Sequence, residues 1–132
     1  MVERPFSVHE LDHVVLRCRD RQRMERFYAD VLGLVVERRL DAIGLVQLRA
    51  GRSLLDLIPG REAGEAGRNV DHFCLGVDAA SMDSVERHLR GCGVEVAAGP
   101  VRVYGARGMG TSIYVRDPEG NTVELKRVGA DA

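Results

Sequence analysis

The chain repeats itself at half its length. Leu11-Asp12-His13-Val14-Val15-Leu16 returns as Val70-Asp71-His72-Phe73-Cys74-Leu75, which places the two histidines 59 positions apart. Self-similarity at such a period marks two copies of one supersecondary unit, each too small to bury its apolar face alone. Both stretches alternate in polarity as strands do. After the first come Asp20, suited to cap a helix, then Met24, Phe27, Tyr28 and Val31 at helical spacing, then Gly33 as a terminator. After the second come Ser81, then Met82, Val85, Leu89 and Cys92, closed by Gly91 and Gly93.

Three β-type runs follow each helix. In the first half they are Leu34–Val36, Leu45–Leu48 and Ser53–Ile58, and in the second Val94–Val96, Thr111–Val115 and Asn121–Leu125, the last preceded by the turn sequence Asp117-Pro118-Glu119-Gly120. The order predicts an α+β chain of two tandem βαβββ modules in one domain spanning 1–132. Module one covers about 9–59 and module two about 69–128. The glycines and charges between Pro59 and Arg68 predict an exposed linker over 60–68.

Composition narrows the function. A length of 132 residues with 45% apolar side chains is enough for one self-supporting core. A net charge of -1 gives no pull toward nucleic acid or an anionic membrane surface, so a small-molecule substrate is expected. Three cysteines, Cys18, Cys74 and Cys92, form no CxxC pair, which argues against a disulfide framework or a thiolate zinc site and fits a reducing cytoplasm. The opening residues lack the apolar core of an export signal, and no run approaches the length of a membrane span.

The period of two then sorts the polar groups by face. His13 lies opposite Val14 and Leu16, and His72 opposite Phe73 and Leu75. On the closing strands Asp56 opposes Leu55 and Leu57, and Glu124 opposes Val123 and Leu125. If the helices cover the apolar faces, each half presents one imidazole and one carboxylate on its other face. Asp56 and Glu124 are themselves repeat-related, 68 positions apart. Two nitrogens and two oxygens suit nickel, zinc, cobalt, manganese or ferrous iron, so His13, Asp56, His72 and Glu124 are expected to hold one divalent metal ion in a cleft.

These residues, with Phe27-Tyr28 running to Leu32-Gly33-Leu34 and Gly105-Ala106-Arg107-Gly108 running to Ser112-Ile113-Tyr114-Val115-Arg116-Asp117-Pro118-Glu119-Gly120-Asn121, resemble the vicinal oxygen chelate superfamily. That superfamily includes glyoxalase I, extradiol dioxygenases and the fosfomycin and bleomycin resistance proteins, and small glyoxalase-domain proteins are the nearest match. The resemblance implies a curved mixed-sheet half-barrel whose cleft holds the metal, with substrates binding through two neighbouring oxygens. The chain departs from glyoxalase I at Asp56, where a glutamate is common.

The leading expectation is a glyoxalase I-like lyase or isomerase, in which the metal stabilises an enediolate while Glu124 moves the proton. An extradiol dioxygenase would use His13, His72 and Glu124 on ferrous iron, with Asp56 outside the ligand set. A fosfomycin- or bleomycin-type resistance protein is the third reading, and with 5% aromatic residues and no tryptophan the bleomycin version is the weaker form. Ser112 and Tyr114 share a parity that would place them in the cleft, and Arg107, in a glycine-rich loop over Gly105–Gly110, would clamp a substrate anion. Cys74 is expected as a buried, inert thiol on the His72 face. Open sheet edges predict a homodimer, and a linker of about ten residues, about 30 Å if extended, permits the metal site within one chain or across two.

Overall fold

The computed structural model describes residue 5 and residues 10–62 and 67–128. Residues 63–66 of the expected linker, and the stretch around residue 9 where module one was expected to begin, lie outside the described residues. Module one runs β1 (His13–Cys18), α1 (Arg21–Arg26) continued by one π turn (Phe27–Val31), β2 (Val35–Leu40), a 3₁₀ turn, β3 (Leu45–Ala50) and β4 (Ser53–Pro59). Module two runs β5 (Phe73–Val77), α2 (Met82–Gly91), β6 (Val96–Gly105), β7 (Gly108–Arg116) and β8 (Thr122–Arg127).

Each module folds into an open four-stranded mixed sheet, in the orders β1-β4-β3-β2 and β5-β8-β7-β6. The first strand of each pairs in parallel with the last, and the remaining pairs are antiparallel. The expected α+β class and the doubled βαβββ order are therefore both present. The half-barrel is divided within one chain: the two sheets share no ladder, and β1, β2, β5 and β6 are edges.

The helices form where the caps allow. The Asp20 side chain accepts from the Arg23 amide and the Ser81 side chain from the Ser84 amide, each satisfying an amide that a helix start would otherwise leave unpaired. Met24, Phe27 and Tyr28 from the first helix and Met82 and Leu89 from the second are buried in one core with Leu16, Leu48, Leu57, Ile113, Val115 and Val123. Alternation along the strands thus puts the helices on one face of each sheet and frees the other.

The modules meet through this helix-covered side. Tyr28 stacks on Phe73 with ring centroids 6.3 Å apart and donates its hydroxyl hydrogen to Asp117 Oδ2 at 2.7 Å. Asp117 also accepts from the amides of Glu119 and Asn121 and from the Asn121 side chain, which closes the expected turn with Gly120 at φ 84°, a backbone region that favours glycine. The Glu119 carboxylate accepts from the amides of Arg19 (2.7 and 2.9 Å) and Asp20 (2.7 Å), so a turn of module two anchors the start of the helix in module one.

Two local expectations need correction. The second β-run of module two is no three-residue strand followed by a glycine loop: β6 and β7 form a long hairpin in which Gly105 pairs with Gly108 across a two-residue turn, Ala106-Arg107. His72 stands one residue before β5 rather than inside a strand beginning at Val70.

Candidate metal and substrate site

In module one, the parallel register sets His13 beside Leu54 and Val15 beside Asp56, so His13 and Asp56 occupy the same outward face. Asp56 is 5% exposed; its Oδ2 accepts from Gln47 Nε2 at 3.2 Å, and its Oδ1 is buried with no hydrogen-bond partner. A buried carboxylate oxygen without a partner carries an uncompensated desolvation cost, which a cation or a hydrogen-bond donor placed against it would offset. His13 Nδ1 sits 2.8 Å from Asp12 Oδ1. That hydrogen bond above all, and then the nearby Asp56 charge, hold the imidazole pKa above its usual value.

Module two repeats the arrangement. His72 Nδ1 lies 2.7 Å from Asp71 Oδ2, while Nε2 lies 3.4 Å from Glu124 Oε1. In both halves an aspartate thus holds the Nδ1 edge of the ring, and in module two the other nitrogen faces the carboxylate, the way metal-binding histidines are commonly oriented. Glu124 is 7% exposed, and its Oε2 accepts from the Ser112 hydroxyl at 2.7 Å. The Tyr114 ring stands edge-on to His72, centroids 6.1 Å apart. Burial first, then the Glu124 charge, raise the Tyr114 pKa, so the phenol keeps its proton at neutral pH.

Cys74 lies directly across from Glu124 on the parallel pair. It is exposed, not buried as expected, because it sits on the outward face of an edge strand. Partial burial of the sulfur and the Glu124 charge push its thiol up to about 11. Arg107 is exposed on the hairpin turn, five positions beyond Ser112 or about 17 Å of strand, so the chain alone does not bring it to Glu124.

Sequence reasoning passed over four residues. Asp12 and Asp71 were legible in the doubled Asp-His dipeptide. Gln47 is set by its register opposite Asp56. Lys126 shares the parity of Glu124, is 5% exposed, and pairs in register with Ser112.

The structure assembles the four expected donors as two pairs, His13 with Asp56 and His72 with Glu124, on separate sheets. The histidines line a common cleft of about 810 Å³ with Leu54, Phe73 and Leu89, but the carboxylates do not. Among the described residues, no group of three or more His, Cys, Asp or Glu side chains lies close enough to hold a metal ion.

Two βαβββ modules, each turning one histidine and one buried carboxylate away from its helix, define a class of paired-module proteins. Residues 10–125 match the family model described as glyoxalase/bleomycin resistance protein/dioxygenase superfamily. The chain belongs to that superfamily, the vicinal oxygen chelate fold group. It is 32% identical to the glyoxalase domain-containing protein RDO1 of Mycosarcoma maydis, over 93% of this chain and 70% of that protein. Among solved structures, an integron cassette protein from the mobile metagenome of V. cholerae shares 31% identity with a TM-score of 0.77, covering 94% of this chain and 98% of that one. A lactoylglutathione lyase from Agrobacterium tumefaciens shares 27% identity with a TM-score of 0.68, covering 94% and 96%.

Proposed function

We propose that the chain is a divalent-metal-dependent enzyme of glyoxalase I type, a lyase or isomerase acting on a small substrate that offers two neighbouring oxygens. The centre is assembled across a homodimer, with His13 and Asp56 from one copy and His72 and Glu124 from a second. The observation that carries the reading is the buried, unpartnered Oδ1 of Asp56, set on the same face as His13. It favours four protein donors over the three of an extradiol dioxygenase. It also matches a carboxylate in module two whose Oε1 faces an imidazole.

A divalent ion held by His13, Asp56, His72 and Glu124 would supply Lewis acidity to the two substrate oxygens and make the C–H on the hydroxyl-bearing carbon more acidic. The remaining work falls to side chains. Ser112, by donating to Oε2, fixes the Glu124 carboxylate in one rotamer and leaves Oε1 to take a proton from that carbon and return it to its neighbour. Tyr114, protonated at neutral pH, donates to a substrate oxygen from the same face. The buried setting of both carboxylates keeps competing water from the proton in transit.

The test is metal-free protein reconstituted in turn with nickel, cobalt and zinc and assayed for isomerisation of hemithioacetals. Turnover that rises with metal occupancy, together with a fall of both metal affinity and turnover in Glu124→Gln, supports the reading. No turnover with any of the metals and thiols tried would sink it.

A further inference from the structure

Of the 19 Lys and Arg residues in this chain, Lys126 is the sole lysine, and among the described residues it is the one Lys or Arg that is buried. It follows Glu124 by two positions on β8, so the two side chains leave the same face about 7 Å apart. Across the ladder it pairs with Ser112, whose hydroxyl holds Glu124. The β6–β7 hairpin is shaped around it. A Cβ on Gly105 would come within 3.3 Å of Lys126 Cδ and Cε and 3.5 Å of Nζ, and one on Gly110 within 3.1 Å of Nζ. Glycine at both positions leaves room for the stem to lie along the hairpin.

A lysine that is 5% exposed keeps its charged end at the margin of the interior, where an anion beside it is favourable. Among the described residues no carboxylate lies within ion-pair distance of it. Glu124, the nearest acid along its strand, is already engaged by Ser112 and His72. Where every other cationic position carries a guanidinium, a compact point charge on a flexible stem stands here, a form that binds a single oxyanion without the planar fork of arginine.

We infer that Lys126 is an anion-binding group beside Glu124, on the β8 face opposite Ser112, and that the substrate carries a carboxylate beyond its two chelating oxygens. The inference deepens the proposed function and rests on it for Glu124 as the chelating side. The carboxylate end of the substrate lies over Gly105 and Gly110 against the ammonium, and the chelating end reaches the Glu124 side. Neutral-tailed compounds with the same pair of oxygens lose this contact and bind more weakly.

Because Lys126 is unique, protein grown with ¹³C,¹⁵N-lysine gives one lysine side-chain NMR signal. Two probes share a 2-oxo acid chelating pair and differ at the far end: 2-oxoglutarate has a second carboxylate there and 2-oxopentanoate a methyl group. Both are titrated into metal-free and zinc-loaded protein, and zinc uptake is measured separately. The expected result is a saturable shift of the Lys126 signal with 2-oxoglutarate at a concentration about tenfold lower than with 2-oxopentanoate, a size set by one charge-assisted hydrogen bond. In Lys126→Met, which keeps the stem and removes the charge, that preference disappears while zinc uptake is unchanged. A Lys126 signal that 2-oxoglutarate leaves unmoved, or a preference that survives in Lys126→Met, overturns the inference. Zinc uptake that fails while the Lys126 shift persists defeats the metal reading and leaves the anion site standing; uptake with a silent lysine does the reverse.

Discussion

Asp12 and Asp71 do their work from outside the core. Both side chains are largely exposed, 88% and 78%, yet each holds Nδ1 of the histidine that follows it, and for His72 this leaves Nε2 toward Glu124. Replacing Asp71 by alanine is expected to leave the melting temperature unchanged and weaken metal binding roughly 10- to 100-fold, read by competition with a coloured chelator. Tyr28→Phe should behave the other way. It removes the phenolic donor from a buried aspartate and is expected to cost about 1–3 kcal/mol of stability in a denaturant titration, with metal affinity untouched. At this scale the sequence was legible where parity governs: His13, Asp56 and Glu124 lie within strands on the faces that alternation assigned them, whereas His72 precedes its strand. Lys126 was missed because a lysine near a strand end ordinarily extends into water, and only the two glycines across the ladder turn it inward. The exposure of Cys74 escaped for a related reason, since parity gives a face but not whether a neighbouring strand covers it.

Among the elements, the first helix is tied down from two sides. Its start receives the Glu119 carboxylate from module two, and its outer face carries Glu25, which accepts from Arg39 and Arg21. The Arg39 hydrogen bond above all holds the Glu25 carboxyl below the ordinary glutamate range, against a smaller opposing effect of burial. A depressed folded-state pKa contributes stability that is present above the unfolded value and is lost as pH falls through the folded one. Glu25→Gln is therefore expected to melt below the wild type at pH 7, by a difference worth about 0.5 kcal/mol, and the two curves should converge as pH falls through the lowered folded-state value. The elements themselves were legible from caps and periodicity except for the β6–β7 hairpin. Gly99, Pro100, Gly105, Gly108 and Gly110 all read as chain breakers. The hairpin tolerates them because its register shifts between Val96 and Val101, where pairing is irregular, and because Gly105 and Gly108 flank a two-residue turn.

For the whole molecule, the half-length repeat exposed the two modules but not how they associate. Their packing depends on side chains from both, such as Tyr28 on Phe73, and no period in the sequence encodes it. Strands β1 and β5 each border a histidine and each lie at a sheet edge, with Leu11 (79% exposed) and Val15 (47%) beside the first. An edge of this kind is a surface for strand addition, and a second copy offering β5 to β1 would join two four-stranded sheets into the expected half-barrel. Mixing His13→Ala protein with Glu124→Ala protein is expected to restore one intact centre in each mixed dimer, measured as bound metal and as turnover. A monomer by light scattering at micromolar concentration, with metal retained, would defeat both the dimer and the shared centre.

If the centre is shared between two copies as proposed, the division of donors between two sheets would make the ion a reactant in assembly as well as in chemistry. A centre held by two chains is governed by mass action in both. Its apparent affinity for metal should rise as the protein is concentrated and fall as it is diluted, and a chelator should lower the molecular weight along with the activity. A cell that starved such a protein of metal would thus return its enzyme to separate subunits, with β1, β5 and both half-sites open for reassembly once the ion came back.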